Sequence, residues 1–115
     1  MFEKNLRLIM LFDIYGELLT ESQKTMFDFY YNDDLSLAEI AENTGISRQG
    51  ARDSIKRAEE LLLSFEKKLH LAEKIDGIQK KSEEALSLLA TLGDKHPTAR
   101  EDLNRVAAIF GSISL

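Results

Sequence analysis

Seven small or apolar residues, Ala51, Ile55, Ala58, Leu62, Phe65, Leu69 and Ala72, recur at alternating spacings of four and three. A period near 3.5 is that of one face of an α-helix packed along another, and a strand cannot present it. The spacing predicts one long helix from Ser47 to Ile75, about 43 Å at 1.5 Å per residue. The shorter apolar stretches before it cannot cover such a rod, so something else must bury its outer half. One proline and six glycines, set between runs of good helix formers, extend the helical reading to the whole chain. The expectation is an all-α protein. Residues 1–75 form one domain that includes the long fourth helix, and residues 76–115 form a C-terminal helical extension.

Ahead of the long helix, a first helix is expected from Phe2 to Leu19. It is apolar nearly all round, through Leu6, Leu8, Ile9, Leu11, Phe12 and Ile14, as in helices buried on more than one side or against a partner subunit. Thr20 to Gln23, "TESQ", reads as a capping box: the Thr20 hydroxyl accepts from the amide three residues on, and Gln23 reaches back. A second helix follows to Asn32, with Gln23, Met26, Phe27 and Tyr30 on one face. Tyr30 and Tyr31 could stack on bases, but core packing with the hydroxyl at the surface is the better reading. "SLAE", Ser36 to Glu39, is a second capping box opening a short helix to Thr44, with Leu37, Ile40 and Ala41 facing inward. After the long helix, Gly77 is expected to bend or end it, and a further helix runs from Ile78 to Leu92. Its face is Ile78, Ala85, Leu89 and Leu92, and Gly93 stops it. "GDKHP", Gly93 to Pro97, is the clearest loop. Pro97 and "TARE" then start a last helix with Leu103, Val106, Ala107 and Phe110 on its apolar face.

Residues 37–57 carry the most specific pattern, that of a helix-turn-helix. Ala41 is small where two helices cross, and Gly45, four residues on, makes a turn whose positive φ suits glycine. Ile46 fills beneath the turn, Ser47 caps the second helix, and Ile55 anchors that helix to the core. In such a motif the second helix enters the major groove with its N-terminal residues at base edges. Arg48, Gln49, Arg52, Asp53 and Lys56 are the candidate groove-facing side chains. Arg48 or Arg52 can bind guanine through two hydrogen bonds and Gln49 can do the same for adenine, while Lys56 and Arg57 suit phosphate. The plain alternative is a solvated helix face on which Asp53 pairs with Arg57. Gly50 is unusual inside a helix and suggests close approach of the preceding helix or of a ligand backbone.

Charge sharpens this reading. The chain of 115 residues has net charge -5, yet residues 37–57 hold four bases against three acids, a local excess found in neither flank. Loose polyanion binders are basic overall, so a specific partner is expected instead. No cysteine is present, which excludes disulfides, thiolate metal sites and a cysteine nucleophile. His70, expected beside the long helix's seam, and His96, in a loop, lack metal-ligand spacing. Asp33-Asp34 and Glu83-Glu84 are adjacent in sequence and read as solvated charge. There is no glycine-rich phosphate loop. Expected, then, is a non-enzymatic chain with no metal, cofactor or small-molecule substrate. Its longest apolar run, Leu8 to Phe12, is far short of the roughly 20 residues of a membrane span, and the cytoplasm is the natural location.

A resemblance adds to this. Residues 20–62, with "LT..Q", "YY", "EIA...GIS" and a basic helix, resemble region 4 of the sigma-70 family. More closely, residues 5–75 look like the YlxM family of Gram-positive bacteria, most specifically in "DDLSLAEIAE" and "SRQ...D.IKR". This chain has Gly50-Ala51 where that pattern has Ala-Val. The resemblance implies a small helix-turn-helix protein encoded beside the protein subunit of the signal recognition particle, accessory to or regulating that targeting pathway. Three readings follow: an operator-DNA regulator, a surface for the particle's RNA or protein, and an interaction scaffold without nucleic acid. A homodimer would double the weak basic surface.

Overall fold

The computed structural model describes residues 5–113, six α-helices with no strand among the described residues. Contacts divide the chain into two compact units, Met1–Ala72 and Glu73–Leu115.

In the first unit, α1 (Leu6–Tyr15) continues into a single 3₁₀ turn at Gly16–Leu18, followed by α2 (Glu21–Tyr31), α3 (Leu37–Thr44) and α4 (Arg48–Leu69). The first helix is shorter than the Phe2 to Leu19 expected of it, ending at Tyr15. Asn5 caps it by accepting from the Arg7 amide at 2.8 Å, and the expected start at Phe2 lies outside the described residues. Both capping boxes close, at Thr20 with Gln23 and at Ser36 with Glu39. They satisfy the amides that a helix start leaves without an intrahelical partner.

Helix α4 is the shared partner of α1, α2 and α3. Its inner face is Ala51, Ile55, Ala58 and Leu62, all fully buried. The two alanines let neighbouring backbones approach, while Ile55 and Leu62 each contribute about 1.5–3 kcal/mol of burial. Leu11, Phe27 and Ile40, from α1, α2 and α3, are fully buried in the same core. Phe12 stacks on Phe27 at 4.5 Å between centroids, and Phe27 stacks on Tyr31 at 4.3 Å. Tyr30 and Tyr31 are buried, which removes them as base-stacking platforms. The Tyr31 hydroxyl donates to Glu59 rather than to solvent. Burial, helped by that bond, raises the Tyr31 pKa. Burial also raises that of Glu59, against the pull of Tyr31 and Lys56.

The long helix is where structure and sequence pattern part. Instead of running from Ser47 to Ile75, α4 stops at Leu69. His70 takes the left-handed conformation (φ 56°, ψ 30°), and α5 (Leu71–Lys95) begins. The even 4–3 spacing stays inward as far as Phe65, half-buried against the core with its ring centroid 5.9 Å from that of Tyr15. Its neighbour Glu66 is buried as well, while Leu69 is 46% exposed. The carboxylate has a structural task. Its Oε1 accepts from the Tyr15 hydroxyl at 2.6 Å and from the Ala72 amide at 3.0 Å. The Leu71 amide donates to the Tyr15 hydroxyl at 3.1 Å. Two first-turn amides of α5 are thus capped by side chains from α1 and α4, which offsets the strain of a non-glycine residue at positive φ. Burial and the Glu66 bond raise the Tyr15 pKa.

In the second unit, α5 passes through Gly77 and Gly93, neither of which ends it. A 3₁₀ turn at Pro97–Ala99 leads into α6 (Arg100–Gly111), so the expected loop is reduced to its His96 end. Gly93 is buried, and a Cβ there would meet Leu103 Cδ1 at 4.0 Å. That is an ordinary van der Waals distance, so the packing of α6 does not require glycine, and the glycine does not end α5 either. Arg100 donates to the Gly93 carbonyl at 3.3 Å and to Asp94 at 3.2 Å, covering the end of α5.

Candidate nucleic-acid interface

Three local devices set the angle between α3 and α4. Gly45 holds φ 75° and ψ 7°, its amide donating to the Ala41 carbonyl at 3.0 Å. Thr44 Oγ1 donates to the Ile40 carbonyl at 2.7 Å, which ties off the last turn of α3. Ser47 Oγ accepts from the Gly50 amide at 3.0 Å, which starts α4. Ile40 and Ile55 are fully buried, and Ala41 is half-buried beside them.

Ile46 departs from the reading that placed it beneath the turn. It is 37% exposed and lies against the start of α4, where its Cγ2 stands 2.7 Å from the position a Cβ on Gly50 would take. Gly50 is therefore explained inside the motif, without a ligand backbone: the glycine makes room for a β-branched side chain that only χ1 rotation could move. Replacing a helical glycine by alanine ordinarily gains up to about 1 kcal/mol. Here Gly50→Ala is expected to lower stability by roughly that amount, because the crowding outweighs propensity. In an Ile46→Ala background the same change is expected to raise it. Urea denaturation of the four proteins of this cycle decides the sign.

The six candidate contact residues, Arg48, Gln49, Arg52, Asp53, Lys56 and Arg57, are all exposed on α4. The helical period sorts them into two rows. Arg48, Arg52 and Lys56 follow each other at one-turn intervals, a cationic line roughly 12 Å long at 1.5 Å per residue. Alongside run Gln49, Asp53 and Arg57. In this second row Gln49 Nε2 donates to Asp53 Oδ1 at 2.9 Å, so Asp53 is engaged one turn back, and Gln49 must release it before its amide can address a base. The first row therefore supplies positive charge from the first residue of α4 onward, and the second supplies polar groups held in a fixed orientation. Sequence reasoning missed Tyr15 and Glu66, which hold the far end of the same helix. Their partners are 51 and 56 residues apart in the chain, and only a tyrosine on an otherwise apolar helix hinted at them.

The sequence matches a family described as "Putative helix-turn-helix protein, YlxM / p13 like", UPF0122, over residues 2–106. The chain belongs to this family. Among its relatives, a UPF0122 protein of Clostridium kluyveri is 49% identical over 90 residues, 78% of this chain and 81% of that protein. One of Halalkalibacterium halodurans is 45% identical over 101 residues, 88% and 89% of the two chains. One of Listeria monocytogenes serotype 4b is 54% identical over 74 residues, 64% and 67%. The match extends through α5 and into α6, so the helical hairpin is part of what this UPF0122 member shares with its relatives. Among the described residues, no helix is long and apolar enough to cross a membrane, and no group of three or more acidic or imidazole side chains could hold a metal ion.

Proposed function

We propose that this chain is a non-enzymatic, nucleic-acid-binding regulatory protein of the cytoplasm that acts as a homodimer and contacts its ligand through the N-terminal half of α4. The observation that carries the reading is the exposed row of Arg48, Arg52 and Lys56, which opens the second helix of a helix-turn-helix. A helix presented this way fits a major groove, with its first residues at base edges. The remainder of the chain is acidic, which favours a defined ligand over indiscriminate polyanion binding. The resemblance to YlxM proteins directs the proposal further, to an accessory or regulatory role in signal-recognition-particle targeting, with the particle's RNA or protein as the partner; the alternative is an operator-DNA regulator unrelated to targeting.

Fluorescence anisotropy of the full chain against labelled particle RNA and duplex DNA, at low salt, tests the reading. Arg52→Ala is expected to weaken binding to the preferred ligand by about 1–3 kcal/mol if Arg52 meets a base edge. Equal affinity of variant and wild type would remove α4 from recognition. Absence of binding to either nucleic acid would leave the protein-scaffold alternative.

A further inference from the structure

We propose that the hairpin of α5 and α6, from Glu73 to Gly111, is the surface on which two copies of this chain join, closing into a four-helix bundle. The inference deepens the homodimer reading above and rests on it. Its first support is what the hairpin lacks. Among the described residues of this unit, Gly93 alone is buried, and no side chain of α6 is. An autonomous unit of about 40 residues needs a disulfide, a metal or an oligomer to be stable. The sequence has no cysteine, and the described residues hold no metal-binding cluster. Association is the remaining route.

The second support is what the hairpin displays. Ile75, Ile78, Ser82, Ala85, Leu89 and Leu92 keep the 4–3 repeat along α5, the pattern of a helix seam. Helix α6 covers only part of it: of the repeat, Leu89 shares a groove with Leu103 and Ala107, and Ser82 shares one with Phe110. Leu88 is left 59% exposed on α5, and Ile109 66% exposed on α6. Helix α5 offers a face roughly 35 Å long and α6, with 12 residues, one of roughly 18 Å, each about 10 Å wide. Together that is about 530 Å² per copy, or about 1,060 Å² in a two-fold pair, above the roughly 1,000 Å² that a specific interface needs.

Charge points to a second copy as the occupant. The hairpin unit carries seven acids and six bases, net -1, whereas the first 72 residues carry -4. Like surfaces of near-zero net charge meet without mutual repulsion, and a two-fold contact requires such self-complementarity. Asp76 pairs with Lys80 at 2.9 Å within α5, so part of this charge is already neutralised inside the helix.

Sedimentation equilibrium of the full chain tests the proposal. Wild type is expected at dimer mass, and Leu88→Glu/Ile109→Glu at monomer mass. Leu18→Glu, the same change on an exposed leucine of the first unit, is expected to remain dimeric. If the double glutamate variant loses helix by circular dichroism, Leu88→Ala/Ile109→Ala decides, with dissociation expected to be at least about tenfold easier. A dimer undisturbed by the hairpin substitutions would overturn the hairpin interface while leaving the homodimer standing. A wild type monomeric at high concentration would overturn both.

Discussion

Glu66→Ala is expected to lower the stability of the N-terminal unit by about 3 kcal/mol, the combined cost of stranded buried polar groups and lost packing. At the size of this unit that is a fall of roughly 10–20 °C in unfolding midpoint. The carboxylate is buried and its Oε1 accepts from both the Tyr15 hydroxyl and the Ala72 amide. Alanine leaves both donors without that acceptor and opens a void between α1 and α4. Glu66→Gln keeps an acceptor oxygen but not the charge that strengthens it, and is expected to cost less. Tyr15→Phe, which removes the hydroxyl with little change of shape, is expected to cost about 1–1.5 kcal/mol. Thermal and urea unfolding rank the three. A Glu66→Ala protein within about 0.5 kcal/mol of wild type, the range of ordinary surface changes, would mean that the carboxylate does not hold this corner together.

Raising salt from about 50 to about 200 mM is expected to weaken duplex binding roughly 10²-fold when two copies engage the ligand, and roughly 10-fold when one does. Counterion release sets these figures, with Lys56 and Arg57 each neutralising one phosphate per copy while Arg48 and Arg52 address bases. The eleven lysines and arginines outside residues 37–57 are outnumbered by seventeen acids, so the flanks add no net positive charge. The hairpin variant Leu88→Glu/Ile109→Glu should therefore show about half the logarithmic slope of wild type. Affinity that stayed flat across this salt range would exclude the cationic row as the contact surface.

The legible parts of the fold were those written in neighbouring residues. Thr20, Ser36 and Ser47 announced three helix starts, and each accepts the expected amide. Gly45 announced the turn between α3 and α4, because positive φ there is inexpensive only for glycine or asparagine. The inward face of α4 was legible from Ala51 to Phe65. Beyond that, the pattern misled. The helix break falls at His70, a residue with no local reason for positive φ, because its compensation comes from Tyr15 and from Glu66. Gly77 and Gly93 carried the opposite error. A glycine costs a helix only about 1 kcal/mol, too little to end α5 at either position. In the candidate interface, the identity and exposure of the cations followed from the helical period. The hold of Asp53 on Gln49 did not follow, since Arg57 was an equally good partner on spacing alone.

The way Glu66 is satisfied determines where this polypeptide can be cut. A fragment ending at Leu69 would retain all of α1 to α4, and nearly the whole apolar interior, yet lack the Leu71 and Ala72 amides on which Tyr15 and Glu66 close. The same dependence governs synthesis: on a ribosome, the first folding unit acquires its last internal bond only after residue 72 has emerged.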